Sequence, residues 1–61
     1  MNQEVVDYYE IVFKNEIMMM QHEGTNKTLK ELAAEFVHQN EAHSEEILAA
    51  YSNVRKEIIG Y

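Results

Sequence analysis

Residues 38–48 read HQNEAHSEEIL, and the fold turns on whether a helix runs through this stretch or stops inside it. No proline or glycine forces a stop there, because the chain has no proline and its two glycines are Gly24 and Gly60. Apolar residues sit at helical spacing on both sides: Leu29, Ala33 and Phe36 before it, Ile47, Tyr51, Val54 and Ile58 after it. Read as one helix, the seam runs 29, 33, 36, 40, 43, 47, 51, 54, 58, and its register survives the polar residues. A continuous long helix over about 28–59 is therefore the expectation. Ser44 followed by Glu45 and Glu46 also makes a good fresh helix start, so a break near 40–44, giving a three-helix bundle, is the alternative. Under continuity Asn40 and His43 fall inside the seam, where a polar residue fixes register or oligomeric state at some loss of stability. His43 would then make the seam sensitive to pH, since imidazole titrates near neutrality. Under the break both residues are exposed.

Upstream, Val6, Tyr9, Phe13, Ile17 and Met20 repeat the helical period, and nothing in the chain alternates with period two, so the class is all-α. Asn2 suits the cap of a helix over about 3–22, with Glu4 where the helix N-terminus favours negative charge. Gly24 suits the left-handed position past its end. Thr28 and Glu31 have the spacing of a capping box, which leaves a short turn over 23–27. Helices joined so closely lie side by side, and an antiparallel helical hairpin is the minimum architecture.

At 61 residues the chain reads as a single helical domain, 1–61, and a core this small is marginal on its own. Without cysteine it has no disulfide to add, so a second subunit is the simplest support. The pattern of helix one points the same way. Val5, Tyr8, Val12 and Met19 form a second apolar stripe about 100° from the first, wider than a surface helix in a monomer needs. In the run Met18, Met19, Met20, the last belongs to the core, Met19 to the second stripe, and Met18 lies near Ile11 at the opposite fringe. A continuous second helix would also overhang the first and leave Tyr51, Val54, Ile58 and Ile59 uncovered. The expected interface, with a second copy in a helical bundle or with another protein, is Val5, Tyr8, Val12, Met19, Tyr51, Val54 and Ile58.

Eleven acids against five Lys and Arg give a net charge of −6. Nucleic-acid affinity rests largely on Lys and Arg neutralising phosphates, so no direct nucleic-acid partner is expected. TLKELAAEF, residues 28–36, resembles the opening helix of helix-turn-helix proteins over those nine residues. The stretch that would read bases offers NEAHSEE where Arg, Lys or Gln should stand. The acidic N-terminus is unlike a signal peptide, and no apolar run approaches a membrane span, so a cytoplasmic location with no membrane contact is expected. On a continuous second helix Glu31, Glu35, Glu41 and Glu45 form an acidic ridge with like charges four apart, which repel. Such a ridge could imitate a row of phosphates and inhibit a nucleic-acid-binding protein.

Glu35 and His38 make an E-x-x-H pair, the spacing used in di-iron helical bundles, and Glu16 lies at the same height in a hairpin. A symmetric dimer could join two copies of each into a dinuclear metal site. Against this, Glu35 and His38 lie nearly opposite Leu29, Phe36 and Ile47 on the helix. No phosphate-binding glycine loop or nucleophile motif occurs, so no enzyme activity and no cofactor are expected. The reading is a small acidic helical regulatory protein that modulates or inhibits a larger protein partner, with homodimerisation expected.

Overall fold

The computed structural model describes residues 1–60, which form three α-helices and one short 3-10 turn. Helix α1 spans Gln3–Glu23, α2 spans Leu29–Gln39, the turn is Glu41–His43, and α3 spans Ser44–Ile59. The predicted punctuation of the first half is present in atomic detail. The Asn2 side chain accepts the Glu4 N–H at 3.0 Å, satisfying one donor that the first helical turn leaves unpaired. At the other end Gly24 adopts φ 76°, and the N–H groups of Gly24 and Thr25 both donate to the Met20 carbonyl. Thr28 and Glu31 form a reciprocal capping box, the Thr28 hydroxyl oxygen accepting the Glu31 N–H at 3.1 Å.

The continuous helix over 28–59 does not form. It ends at Asn40, whose backbone leaves the helical region at φ −139° and ψ 63°. The Asn40 N–H donates to the carbonyls of Phe36 and Val37, and its side-chain amide donates to Phe36 as well, at 3.4 Å. Its own carbonyl accepts from His43 N–H at 2.9 Å. A short amide side chain that competes for nearby backbone groups is a helix breaker for this reason. The apolar register survives because α3 folds back and turns Ile47 and Val54 to the same core that Ala33 and Leu32 face. A shared seam required a common core, and a straight axis was unnecessary.

The main pairing also differs from a hairpin of neighbours, since α1 packs chiefly against α3 and only lightly against α2. Three polar contacts mark that edge. The Asn2 N–H donates to Glu46 at 2.9 Å, Asn53 donates to Glu10 at 2.9 Å, and Lys14 pairs with Glu57 at 2.7 Å. Residue numbers rise together in all three, so α1 and α3 run parallel and pack directly, and α2 carries the chain back from the end of α1 to the start of α3. Their core is Val6, Tyr9 and Phe13 from α1, Leu32 and Ala33 from α2, and Ile47, Ala50 and Val54 from α3. Phe13 is completely enclosed and meets Phe36 and Tyr51 at ring-centre distances of 5.1 and 6.4 Å. One aromatic ring thus ties all three helices together.

Candidate interaction surface

Turning α1 so that Val6 and Phe13 face inward carries other side chains to its back. Tyr8, Ile11, Met18 and Met19 are 61%, 60%, 65% and 53% exposed. Steps of about 100° per residue place these four on the side of α1 away from Val6 and Phe13. The expected second stripe is divided by the fold: Tyr8 and Met19 stay on the surface, while Val5 and Val12 are half-buried against the margin of the core. Ile11 and Met18, left at the fringe by the sequence reading, belong to the exposed face. The run of three methionines is thereby accounted for, with Met20 packed against the core and Met18 and Met19 outside it.

The remaining expected interface residues separate as the helix break dictates. Val54 is fully enclosed within one chain, so its place in an interface is corrected: α3 has no overhang of the kind a continuous helix would leave. Tyr51 is half-buried against Phe13. Ile58 is exposed and, with Ile59, Ile17, Met20 and Leu29, lines an apolar cleft of about 390 Å³ beside the turn between α1 and α2.

The acidic ridge dissolves with the helix that was to carry it. Glu31 closes the capping box, Glu41 opens the 3-10 turn and Glu45 lies in the first turn of α3. Glu35 accepts from the Lys27 ammonium with both oxygens, at 3.0 and 2.9 Å. Glu16 and Glu35 do share a groove between α1 and α2, as their common height predicts, and Lys27 lies in that groove. The Glu35 hydrogen bond first, then the charges of Glu35, Glu31 and Glu16, push the Lys27 ammonium above its ordinary pKa. A cation already paired with Glu35 thus lines the same groove as the two acids that the metal site required. His38 is exposed and does not line the groove. Among the described residues no three His, Asp or Glu side chains gather in metal-binding geometry.

Glu46 is a buried acid that sequence reasoning passed over except as a helix-start residue. It accepts the Asn2 backbone N–H and so joins the starts of α1 and α3. No spacing rule links positions 44 residues apart, and only the parallel packing of the two helices brings them together. No helix among the described residues is long and apolar enough to cross a membrane. No family model, curated protein or solved structure matches the chain, so its function is read from its own surfaces.

Proposed function

We propose that this is a small acidic helical regulatory protein that works by binding protein chains, with the back of α1 as its docking face. The observation that carries this reading is the placement of Tyr8, Ile11, Met18 and Met19, four large apolar side chains exposed on one face of one helix. Scattered surface apolar residues need no explanation, whereas several large ones gathered on one helix face suit an interaction site. Methionine strengthens the case because its flexible, polarisable thioether adapts to different partner surfaces. No catalytic step, cofactor or nucleic-acid contact is part of the proposal. Modulation of a larger partner follows if that partner offers an apolar helix or groove to the same face.

Immobilised native protein, compared with its Met19→Lys and Tyr8→Lys variants as bait for proteins of its native extract, tests the reading. Both variants should keep the helical circular dichroism of the parent, because both positions lie outside the core, and both should lose whatever the parent retains. Ser52→Lys, on the exposed side of α3, should retain it. If the α1 variants hold the same proteins as the parent, the docking face is wrongly placed.

A further inference from the structure

The exposed back of α1 has an internal order beyond its apolar content. Tyr8, Ile11 and Met18 share one frame of alternating four- and three-residue steps with the polar Glu4, Asn15 and His22, the line along which one helix meets another lengthwise. All six are exposed. Val5, Val12 and Met19 flank this seam on one side and Asp7, Lys14 and Gln21 on the other, while Val6 and Phe13 point the opposite way into the core. The helix serves its own domain with one face and presents on the other a line that is apolar at Tyr8, Ile11 and Met18 and polar at Glu4, Asn15 and His22.

Resting on the docking reading above, we propose that the occupant of this seam is a second copy of the chain. Its α1 lies antiparallel to the first, with facing residues whose numbers add to that of the pair Gln3 and Glu23, the two ends of α1. This alignment overlaps all 21 residues of the helix, and sliding by one heptad in either direction forfeits a third of the overlap. It sets Tyr8 of each copy against Met18 of the other and Ile11 against Asn15. Val5 comes beside Met19, and Val12 lies near its own counterpart, so the half-buried valines are covered too.

Charge selects the same arrangement. Glu4 of each copy meets His22 of the other, so both ends of the seam join an acid to a base. A parallel pair would instead set Glu4 against Glu4 and bring two helix N-termini together, which their dipoles oppose. Asp7 falls opposite the uncharged Gln21. Lys14 comes near its counterpart at the two-fold axis, but each ammonium is already answered within its own chain by Glu57 at 2.7 Å. Asn15 meets Ile11 of the other copy instead of a polar partner, which weakens the pair. A contact along one helix is also small, of the size class that associates and exchanges. The dimer is thus a state from which a better-matched larger partner can draw the monomer.

The natural absence of cysteine makes the test direct. Tyr8→Cys and Met18→Cys chains, mixed and oxidised, should link to each other. Neither should link to itself, because in the antiparallel register two copies of position 8 stand ten residues apart along the helix, about 15 Å. A disulfide needs Cα atoms within roughly 7 Å. Native protein should sediment at twice 7.2 kDa in the micromolar range, Glu4→Lys should weaken the pair several-fold, and Glu4→Lys with His22→Glu in one chain should restore it. Self-linked products from either single-cysteine variant overturn the register. A native chain that stays monomeric overturns the pairing; if Met19→Lys nevertheless abolishes retention of a foreign protein, the docking reading stands without it. If neither mass nor retention responds to Met19→Lys, both fall.

Discussion

Asn53 donates its side-chain amide to the Glu10 carboxylate at 2.9 Å across 43 residues of sequence, and the pair lies between the Asn2–Glu46 and Lys14–Glu57 contacts on the same edge. Polar residues of α1 that would otherwise face water are thereby committed to α3. What α1 leaves out of these contacts is its back, where Tyr8, Ile11, Met18 and Met19 are exposed. The exposed Lys14–Glu57 ion pair and the exposed Asn53–Glu10 bond contribute little stability individually. Their value here is orientation: a parallel α1 and α3 fixes which side of α1 is left for a partner.

Truncation of Phe13 to alanine should be the most damaging single change in the core. The ring is completely enclosed and touches aromatic side chains on both other helices, and such truncations cost about 3–5 kcal/mol. That is a large fraction of the stability a small domain has. Phe36→Ala should cost less, because Phe36 is only half-buried. Urea unfolding followed by circular dichroism measures both, and equal losses at the two sites would show that Phe13 is not the hub.

Gly24→Ala isolates a backbone effect. Nothing lies within 4 Å of a Cβ built at Gly24, so the new methyl group meets no obstacle. The residue nevertheless sits at φ 76°, where an L side chain costs about 1–2 kcal/mol. The same thermal or urea titration should show a loss of that size with helical content intact; no loss would mean that the turn rearranges to a conformation alanine accepts.

Much of this was legible beforehand for a physical reason. Caps and turns are local, so Asn2, Gly24, Thr28 and Glu31 declare themselves by residue type and spacing, and the buried Val6, Phe13, Ala33 and Ile47 declare themselves by period. The stop at Asn40 was not decided by local chemistry alone, since the seam stays in register through it. The choice belongs to tertiary packing, which is stronger when α3 folds back over Phe13 than when it extends. Leu32 is buried and Val54 is core instead of interface for that same reason. Glu46 was invisible because its partner is the start of another helix.

Thr28→Ala should weaken the start of α2 by about 1 kcal/mol, the usual loss on removing a side-chain cap. The hydroxyl half of the capping box would go, since Glu31 loses the oxygen that accepts its N–H and that donates to its carboxylate, each at 3.1 Å, while the backbone N–H of residue 28 can still donate to Glu31. Amide hydrogen exchange offers a local readout. Protection should drop at Glu31, whose N–H loses its acceptor, and at Leu32, whose N–H bonds the Thr28 carbonyl, and stay unchanged in α1; a uniform drop would assign Thr28 to global stability instead.

Acid should act on the fold through Glu46. The Asn2 N–H and then the N–H of Glu46 itself hold its carboxyl below the ordinary range, helped by His43 and the N-terminal ammonium and opposed by partial burial. A folded-state pKa below the unfolded one means that the unfolded chain binds more protons between the two values, so stability rises with pH there. The contribution is complete above the unfolded value, about 4.3 for glutamate, and disappears as pH falls through the depressed folded value. Urea midpoints measured from pH 7 downward should therefore fall through and below pH 4 in the parent. Glu46→Gln should start lower at pH 7 and fall less steeply over that window, because a neutral amide accepts the Asn2 N–H more weakly and does not titrate. Glu45→Gln, exposed in the same turn, should follow the parent curve. If Glu46→Gln and the parent stay parallel at every pH, the bond between the starts of α1 and α3 has no part in acid unfolding.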